Sequence, residues 1–418
     1  MLTGYVGGDR PTRWHPGAVS LPDVDLAPSA VDRARVAVAV AFVANGLAFA
    51  SWISRLPAVR DALSLSPGQL GLLLLCLSAG AVLALPLAGL VIHRTGPARA
   101  VMLGGSTVGL GLLAVAGGVA TGSVPLSALG LLLTGYGTGT WDVAMNVEAA
   151  DVEHRLDRHL MPRFHAGFSI GTVGGALLGA AAAATGVPVA AQLVATSVVC
   201  VSALVVVVRS FLPVAAKEAT RASGAGLAWR EPRTLLIGVM VLAFALTEGT
   251  ANDWMAIALV DGHGTSEALG AAGFGLFVAA MTIARVVGGG LLDRYGRPLV
   301  LRTSAAVSVV GLLMVVTADA LPLVLVGALL WGGGAALGFP VGMSAAADEP
   351  ERAAVRVSVV SSIGYTAFLG GPPLVGFLAE AVGILDALLV VLVALLVGVI
   401  TAGATRPAVP VGTDVNLR

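Results

Sequence analysis

An aspartate and an asparagine lie four residues apart within a long apolar stretch of this chain. Asp142 and Asn146 fall on one face of a helix, and Gly139 and Gly135 continue that face over the two preceding turns. The face is small and polar, which suits the lining of a central cavity. Its carboxylate could carry a proton or accept a hydrogen bond from a substrate. The alternative is a structural pair with an arginine or with the backbone.

A second acid, Glu248, lies near the middle of another apolar stretch, with Asn252 on the same helical face. It could bind substrate or take up a proton, or it could be a polar clamp between helices. Arg285 is the one basic residue deep in an apolar stretch. It could bind an anionic substrate or shift the pKa of a carboxylate, or it could pair with an acid on the neighbouring helix. His165 could titrate in proton coupling, whereas a lone histidine at an interface is usually solvated.

Three tryptophans and one asparagine complete the candidates for substrate contact. Trp52, Trp141 and Trp254 could stack on a sugar or another ring, although tryptophan is also common at membrane interfaces. Asn45 holds, in the first apolar stretch, the place that Glu248 holds in the seventh. We therefore include it among the candidate binding residues.

Arg55 and Asp253 lie nearer the outer ends of the first and seventh apolar stretches. An ion pair between them could close an outer gate. The alternative is that each side chain simply reaches the membrane interface.

The residues that must position these groups are overwhelmingly apolar. Of 418 residues, 57% are hydrophobic and 11% are charged, and the mean hydropathy is +0.92. A membrane span needs about 20 mostly apolar residues, and twelve such stretches follow one another between residues 35 and 403. The sequence predicts an all-α polytopic membrane protein with twelve transmembrane helices. Cys76 and Cys200 lie in separate stretches, and we expect no disulfide between them.

The polar segments divide the chain and predict its orientation. We expect a disordered cytoplasmic tail at 1–34, six-helix bundles at 35–208 and 233–403, a cytoplasmic central loop at 209–232 and a cytoplasmic tail at 404–418. All but Arg55, Arg60 and Arg285 of the 24 Lys and Arg residues then fall on the side of the two termini. The positive-inside rule places that side in the cytoplasm, here of the bacterial inner membrane.

Local patterns recur at a spacing near 200 residues, which indicates duplication. The segment Ala149-Ala150-Asp151 matches Ala346-Ala347-Asp348, and Ser169-Ile170-Gly171 matches Ser362-Ile363-Gly364. The two bundles should therefore be related by pseudo-symmetry.

One of the repeated segments resembles a known family signature. Residues 289–297 read G-G-L-L-D-R-Y-G-R, which resembles the G-x-x-x-D-R-x-G-R loop motif of the major facilitator superfamily. The first copy departs from it, with His93 in place of the acid and Pro97 in place of the final arginine. The glycines permit a tight turn, and the charges could latch the two halves together. The predicted conformational latch comprises Gly289, Asp293, Arg294, Gly296 and Arg297.

A finer resemblance is to the fucose permease-like branch of that superfamily. Its fourth helix carries G-x-G-x-x-[D/E]-x-A-x-N, and here residues 137–146 read G-T-G-T-W-D-V-A-M-N. Sugar-transporting members also carry an acid on helix 1, four residues before a proline, where this chain has Ile53. The resemblance implies a small, sugar-like solute, but it argues against fucose itself.

These observations predict a secondary transporter that works by alternating access and is coupled to protons, with symport as the expected form. The chain has no phosphate loop, zinc-type spacing or nucleophile elbow, so we expect no enzyme, no cofactor, no metal site and no nucleic-acid partner. The expected partners are a small-molecule substrate, the proton and the lipid bilayer, and a monomer is the favoured state. One alternative is proton-driven efflux of drugs or secondary metabolites. Another is a non-transporting membrane receptor or scaffold.

Overall fold

The structure is a computed structural model that describes residues 28–156, 160–212, 228–349 and 352–406. Within these ranges, eleven helices are long and apolar enough to cross a membrane. A twelfth, Val124–Leu156, is long enough but more polar, because it carries the Asp142 and Asn146 face. The prediction of twelve transmembrane helices in two pseudo-symmetric six-helix bundles is confirmed.

Six long helices and one short helix form the N-terminal half, and a 3₁₀ turn at Val208–Ser210 ends it. Their bounds are α1 Pro28–Ile53, α2 Leu56–Ala62, α3 Pro67–Thr95, α4 Pro97–Thr121, α5 Val124–Leu156, α6 Met161–Ala184 and α7 Val189–Val207.

In the C-terminal half, two of the six spans are broken into shorter helices. A π-helical turn at Ala258–Gly262 extends the first span, and a 3₁₀ turn at Ala402–Thr405 ends the last. The bounds are α8 Pro232–Ile257, α9 Glu267–Tyr295, α10 Arg297–Thr317, α11 Leu321–Ala335, α12 Gly338–Ala346, α13 Ala353–Val382, α14 Ile384–Ala387 and α15 Val390–Thr401.

Two predicted boundaries are wrong. Helix α1 begins at Pro28, so residues 28–34 are helical rather than part of a tail; Asp32 and Arg35 pair across one turn at 3.3 Å. The polar first turns of this helix hid its start, because the prediction relied on apolar residues. At the other end, helical structure continues to Thr405, beyond the predicted limit at 403. The predicted tails at 1–27 and 407–418 and the middle of the central loop, 213–227, lie outside the described residues.

The duplication is visible in matching helices and caps. Helices α3 and α9 both have 29 residues and start 200 positions apart, after Ser66 and Ser266, whose hydroxyls each accept a hydrogen bond from a backbone N–H in the first turn. Both helices end at a glycine with positive φ, Gly96 at 80° and Gly296 at 77°. Gly296 thus forms the turn between α9 and α10, and Gly96 forms the same turn between α3 and α4.

Close backbone contact holds the helices of each half together. A Cβ on Gly111 of α4 would lie 2.6 Å from the Gly130 carbonyl oxygen of α5. A Cβ on Gly311 of α10 would lie 2.6 Å from the Gly327 carbonyl oxygen of α11. Lipid acyl chains are as apolar as the helices, so the hydrophobic effect does not drive the helices together. Close packing of small residues favours their association instead.

The two halves meet along two helix pairs. Helix α3 packs against α13, and α6 packs against α9. The duplication relates α3 to α9 and α6 to α13, so each pair is the pseudo-symmetric image of the other. We call the end of the molecule where α1 begins the termini face, and the end where α1 stops and α3 starts the loop face.

Candidate functional site

Asp142 and Asn146 lie together on α5, as predicted. The Asn146 amide nitrogen donates to the Asp142 carbonyl oxygen at 2.9 Å and approaches its carboxylate at 3.4 Å. The Asp142 side chain is exposed, and it lies within electrostatic range of Tyr365 on α13 of the other half. Because Tyr365 belongs to the other half, this proximity favours a carboxylate turned toward the space between the halves over one turned toward lipid. We call this space the chamber.

Tyr365 is half-buried within an aromatic cluster of the C-terminal half, on that half's side of the chamber. Its ring centroid lies 6.1 Å from that of Phe339 on α12 and 6.1 Å from that of Phe368 on α13. Within the N-terminal half, the rings of Phe49 and Phe168 lie 6.3 Å apart. None of these rings was among the candidates taken from the sequence.

Glu248 and Arg285 form an ion pair between α8 and α9. One Arg285 nitrogen, Nη2, lies 3.0 Å from each Glu248 carboxylate oxygen, and Nε donates to the Ala336 carbonyl oxygen at 3.2 Å. The pairing matches the structural alternative raised for Arg285. His165 on α6 is exposed and lies within electrostatic range of Arg285, again across the space between the halves.

The remaining polar candidates have different surroundings. Asn252 is half-buried, and its Oδ1 has no hydrogen-bond partner among the described residues. Asp253 is also half-buried, and the described residues place no cation beside it. Asn45 is 1% exposed and contacts the Met145 sulfur at 3.9 Å inside the N-terminal half. In this conformation Asn45 does not reach the chamber.

The predicted tryptophan contacts are wrong for this conformation. Trp52, Trp141 and Trp254 are each at most 1% exposed. Trp141, for example, packs its ring on the place where a Gly105 Cβ would lie, at 3.5 Å. Because successive helical residues differ by about 100°, Trp141 turns into its own half while the neighbouring Asp142 stays exposed.

The loop face is closed by polar contacts between the halves. Arg55 Nη2 lies 3.5 Å from Glu267 Oε2 at the start of α9, and Arg60 pairs with Asp261 in the π-helical turn. Ser66 donates to Glu380 near the end of α13. The predicted gate residue Arg55 thus joins the halves, but its predicted partner Asp253 is wrong.

Close packing accompanies these polar contacts. A Cβ on Gly71 of α3 would lie 2.6 Å from the Pro372 carbonyl oxygen of α13. Arg55 is itself held in the N-terminal half by Gln192 at 2.8 Å and the Val187 carbonyl oxygen at 3.1 Å.

The predicted latch residues make contacts of another kind. Arg297 pairs with Asp348 at 2.7 Å and donates to Ser344 at 2.9 Å, both in its own half. Arg233 joins the same carboxylate at 2.7 Å. Arg294 lies over the Tyr295 ring, and Asp293 is exposed. A Cβ added at Gly289 would meet no other atom within 4 Å. In this conformation the motif braces one half and does not join the two.

Within the described ranges, every hydrogen bond and ion pair between the halves lies at the loop face. The chamber is therefore closed on that side, whereas the residues described at the termini face show no hydrogen bond or ion pair between the halves. Sequence reasoning did not find Asp261, Glu267, Glu380 or Tyr365. The acids sit at helix ends where charge is ordinary, and no local pattern marks Tyr365 as the residue opposite Asp142.

The described residues contain no group of three or more His, Cys, Asp or Glu side chains that could hold a metal ion. Cys76 and Cys200 are free thiols.

Comparison with known proteins gives consistent matches. The sequence model of the Major Facilitator Superfamily matches residues 38–297 and 237–415. The chain is 36% identical over 348 residues to "Uncharacterized transporter y4wD" of Sinorhizobium fredii (strain NBRC 101917 / NGR234), covering 82% of this chain and 90% of that protein. It is 31% identical to an MFS-type transporter of Yersinia pestis, covering 83% of this chain and 89% of that protein.

Solved structures share the fold at low identity. A mutant of the nucleoside transporter NupG superposes with a TM-score of 0.73 at 16% identity, covering 89% of this chain and 98% of that one. A variant of the E. coli Fucose:proton symporter, FucP, gives 0.62 at 16% identity, covering 90% of this chain and 98% of that one.

The members of the matched family are membrane transporters rather than enzymes, and they bind small-molecule substrates. Two family matches that together run from residue 38 to 415, two curated relatives above 30% identity and the duplicated helical fold agree. This chain is a multi-pass membrane transporter that belongs to the major facilitator superfamily.

Proposed function

We propose that this protein is a proton-coupled secondary transporter that moves a small polar solute by alternating access. The observation that carries the proposal is the position of Asp142. Its carboxylate faces Tyr365 across the chamber between the two halves. The halves touch at the loop face. Rocking the halves about that chamber would expose the same carboxylate to each side in turn.

Two acids are candidates for the proton. Asp142 and Asp253 have no cation beside them among the described residues, whereas Glu248 is already paired with Arg285. An unpaired carboxylate at membrane depth is costly, and binding a proton removes that cost. These surroundings favour Asp253 over Glu248 as the second candidate, beside Asp142.

The solute class and the orientation rest on separate arguments. The related folds include one named as a nucleoside transporter and one named as a fucose:proton symporter, and both names specify small hydroxylated cargo. The arginine bias supports a termini face that lies in the cytoplasm, with the protein in the bacterial inner membrane. One chain supplies both walls of the chamber, which supports a monomer as the transport unit.

Uptake into proteoliposomes tests this proposal. With a pH gradient acid outside, labelled sugars, nucleosides and amino alcohols should be screened, and at least one should accumulate. Asp142→Asn should reduce accumulation about tenfold or more, since it removes a charge that the chamber presents. Asp151→Asn, on the same helix but paired with Arg155 at 2.7 Å, is the matched control and should leave uptake unchanged.

The alternatives predict other results. Accumulation of hydrophobic drugs alone, driven in the efflux direction, would favour drug export. Accumulation that is insensitive to the pH gradient would contradict proton coupling.

A further inference from the structure

The charges that face the chamber do not balance. Arg285 is its one arginine among the described residues, and both oxygens of Glu248 accept from it. The Ala336 carbonyl oxygen occupies another of its nitrogens. Asp142 is left without a cation, and His165 is the remaining titratable group near Arg285. The Asp142 carboxylate is therefore the unpaired charge in the chamber, and the charge of Arg285 is balanced by Glu248.

The hydrogen-bonding atoms at Asp142 and Asn146 point to a donor-rich cargo. The Asn146 amide nitrogen is turned toward Asp142, so its amide oxygen is the atom left for a solute. A carboxylate also only accepts. The pair thus presents acceptors one helical turn apart, which is the arrangement that an ammonium group with three N–H donors can satisfy.

Aromatic rings lie across the chamber from these acceptors. Tyr365 is flanked by Phe339 and Phe368, with centroids 6.1 Å away on each side. Aromatic faces attract ammonium groups, and the attraction grows when the group is desolvated. The same rings can pack on the C–H face of a small ring or chain.

We propose that the cargo is a small hydroxylated amine, with Asp142 as the counter-charge of its ammonium group. This inference rests on the proposed transport function and narrows its substrate class. Asn146 accepts from the same ammonium group, and the Tyr365 cluster covers the remainder of the solute. Asp253, on the other half, is then the acid that carries the coupled proton. Anionic sugars and phosphorylated solutes are disfavoured, because Asp142 repels them and Glu248 already balances the charge of Arg285.

Two matched series of solutes test the charge requirement by ligand-induced thermal stabilisation of the purified full-length protein. One series is glucosamine, glucose, N-acetylglucosamine and glucuronate. The other is 2-amino-1,3-propanediol, glycerol and glycerate. The amine of at least one series should raise the melting temperature more than its neutral and anionic counterparts, since a ligand that binds the folded state stabilises it.

Variants of Asp142 and Asn146 test whether the amine binds at these residues. Asp142→Asn should weaken amine binding about tenfold to a hundredfold, because a charge-assisted hydrogen bond is lost. Asp142→Glu keeps the charge and should retain binding, and Asp151→Asn should behave as wild type. If Asp142→Asn does not fold, Asn146→Leu, which removes the second acceptor, should weaken the same binding.

The proposal is overturned if neither amine stabilises the protein. It is also overturned if a neutral or anionic member stabilises it as well as the amine does, or if the Asp142 variants bind amines normally. An experiment can distinguish failure of the ammonium proposal from failure of the proposed transport function. Accumulation of a neutral sugar in proteoliposomes under a pH gradient would keep the transporter and discard the ammonium group.

Discussion

Arg55, at the start of α2, reaches Glu267 of α9 across the boundary between the two halves, with 3.5 Å between Nη2 and Oε2. Arg55 is 4% exposed and is also fixed by Gln192 and the Val187 carbonyl oxygen, so the N-terminal half holds it in position for its partner. The pair is one of three polar links that close the loop face. Its removal should shift the conformational equilibrium of the protein.

Glu267→Gln should favour the state that is open at the loop face. A partly exposed ion pair contributes up to about 1 kcal/mol, so the ratio of open to closed molecules should rise by up to about fivefold. The distance between one spin label on α2, in the N-terminal half, and another near Ser266, in the C-terminal half, would report this ratio. Glu380→Gln should act in the same direction through Ser66. An unchanged distance distribution in both variants would contradict the assigned gate.

Gly71→Ala should wedge the halves apart at the same face. The added Cβ would lie 2.6 Å from the Pro372 carbonyl oxygen, and backbone cannot yield as a flexible side chain can. Overpacking of this kind costs about 1–3 kcal/mol, and here the cost falls on the closed state alone. Gly290→Ala is the control, because nothing lies within 4 Å of its Cβ position. The spin-label distances should widen for Gly71→Ala alone; equal behaviour of the two variants would refute the wedge.

Asp348→Asn should destabilise the C-terminal half. The carboxylate accepts from Arg297 and Arg233, each at 2.7 Å, and its side chain is 16% exposed. Loss of charged hydrogen bonds there should cost about 1.5–3 kcal/mol. Its counterpart Asp151 pairs only one turn away, with Arg155, so Asp151→Asn should cost about 0.3–0.5 kcal/mol. Thermal unfolding in detergent compares the two, and equal losses would argue against the three-residue network.

Stability should fall in acid through Glu231, which lies just before α8. Arg356 donates to this carboxylate at 2.5 Å and holds its pKa below the ordinary 4.5. Since the folded pKa is the lower one, the stabilisation is complete above the ordinary value. It is lost as the pH falls through the lowered pKa. The melting-temperature difference between wild type and Glu231→Gln should therefore shrink below pH 4.5. A difference that stays constant as acid is added would contradict this assignment.

The parts of this account that the sequence predicted are those with a local signature. Matching segments 200 residues apart predicted the duplication, which α3 and α9 display with equal lengths and matching caps. The i, i+4 spacing of Asp142 and Asn146 predicted their shared face.

The sequence did not predict the contacts that depend on which helices pack against each other. Nothing near Tyr365 indicates that α13 lies opposite α5, and nothing near Glu267 indicates that Arg55 will reach it rather than Asp253. Trp141 shows the converse error. Its aromatic ring suggested substrate contact, but one residue of helical rotation from Asp142 buries it completely.

Cysteine accessibility at residue 146 tests the central claim most directly, which is that the Asp142 and Asn146 face lines a wet chamber open to one side at a time. Asn146→Cys would be made with Cys76 and Cys200 replaced by serine, and a membrane-impermeant maleimide would be applied from each side. We predict fast labelling from the termini face and slow labelling from the loop face, with loop-face labelling accelerated by Gly71→Ala. Labelling by lipid-soluble reagents alone, or at equal rates from both sides, would contradict the account.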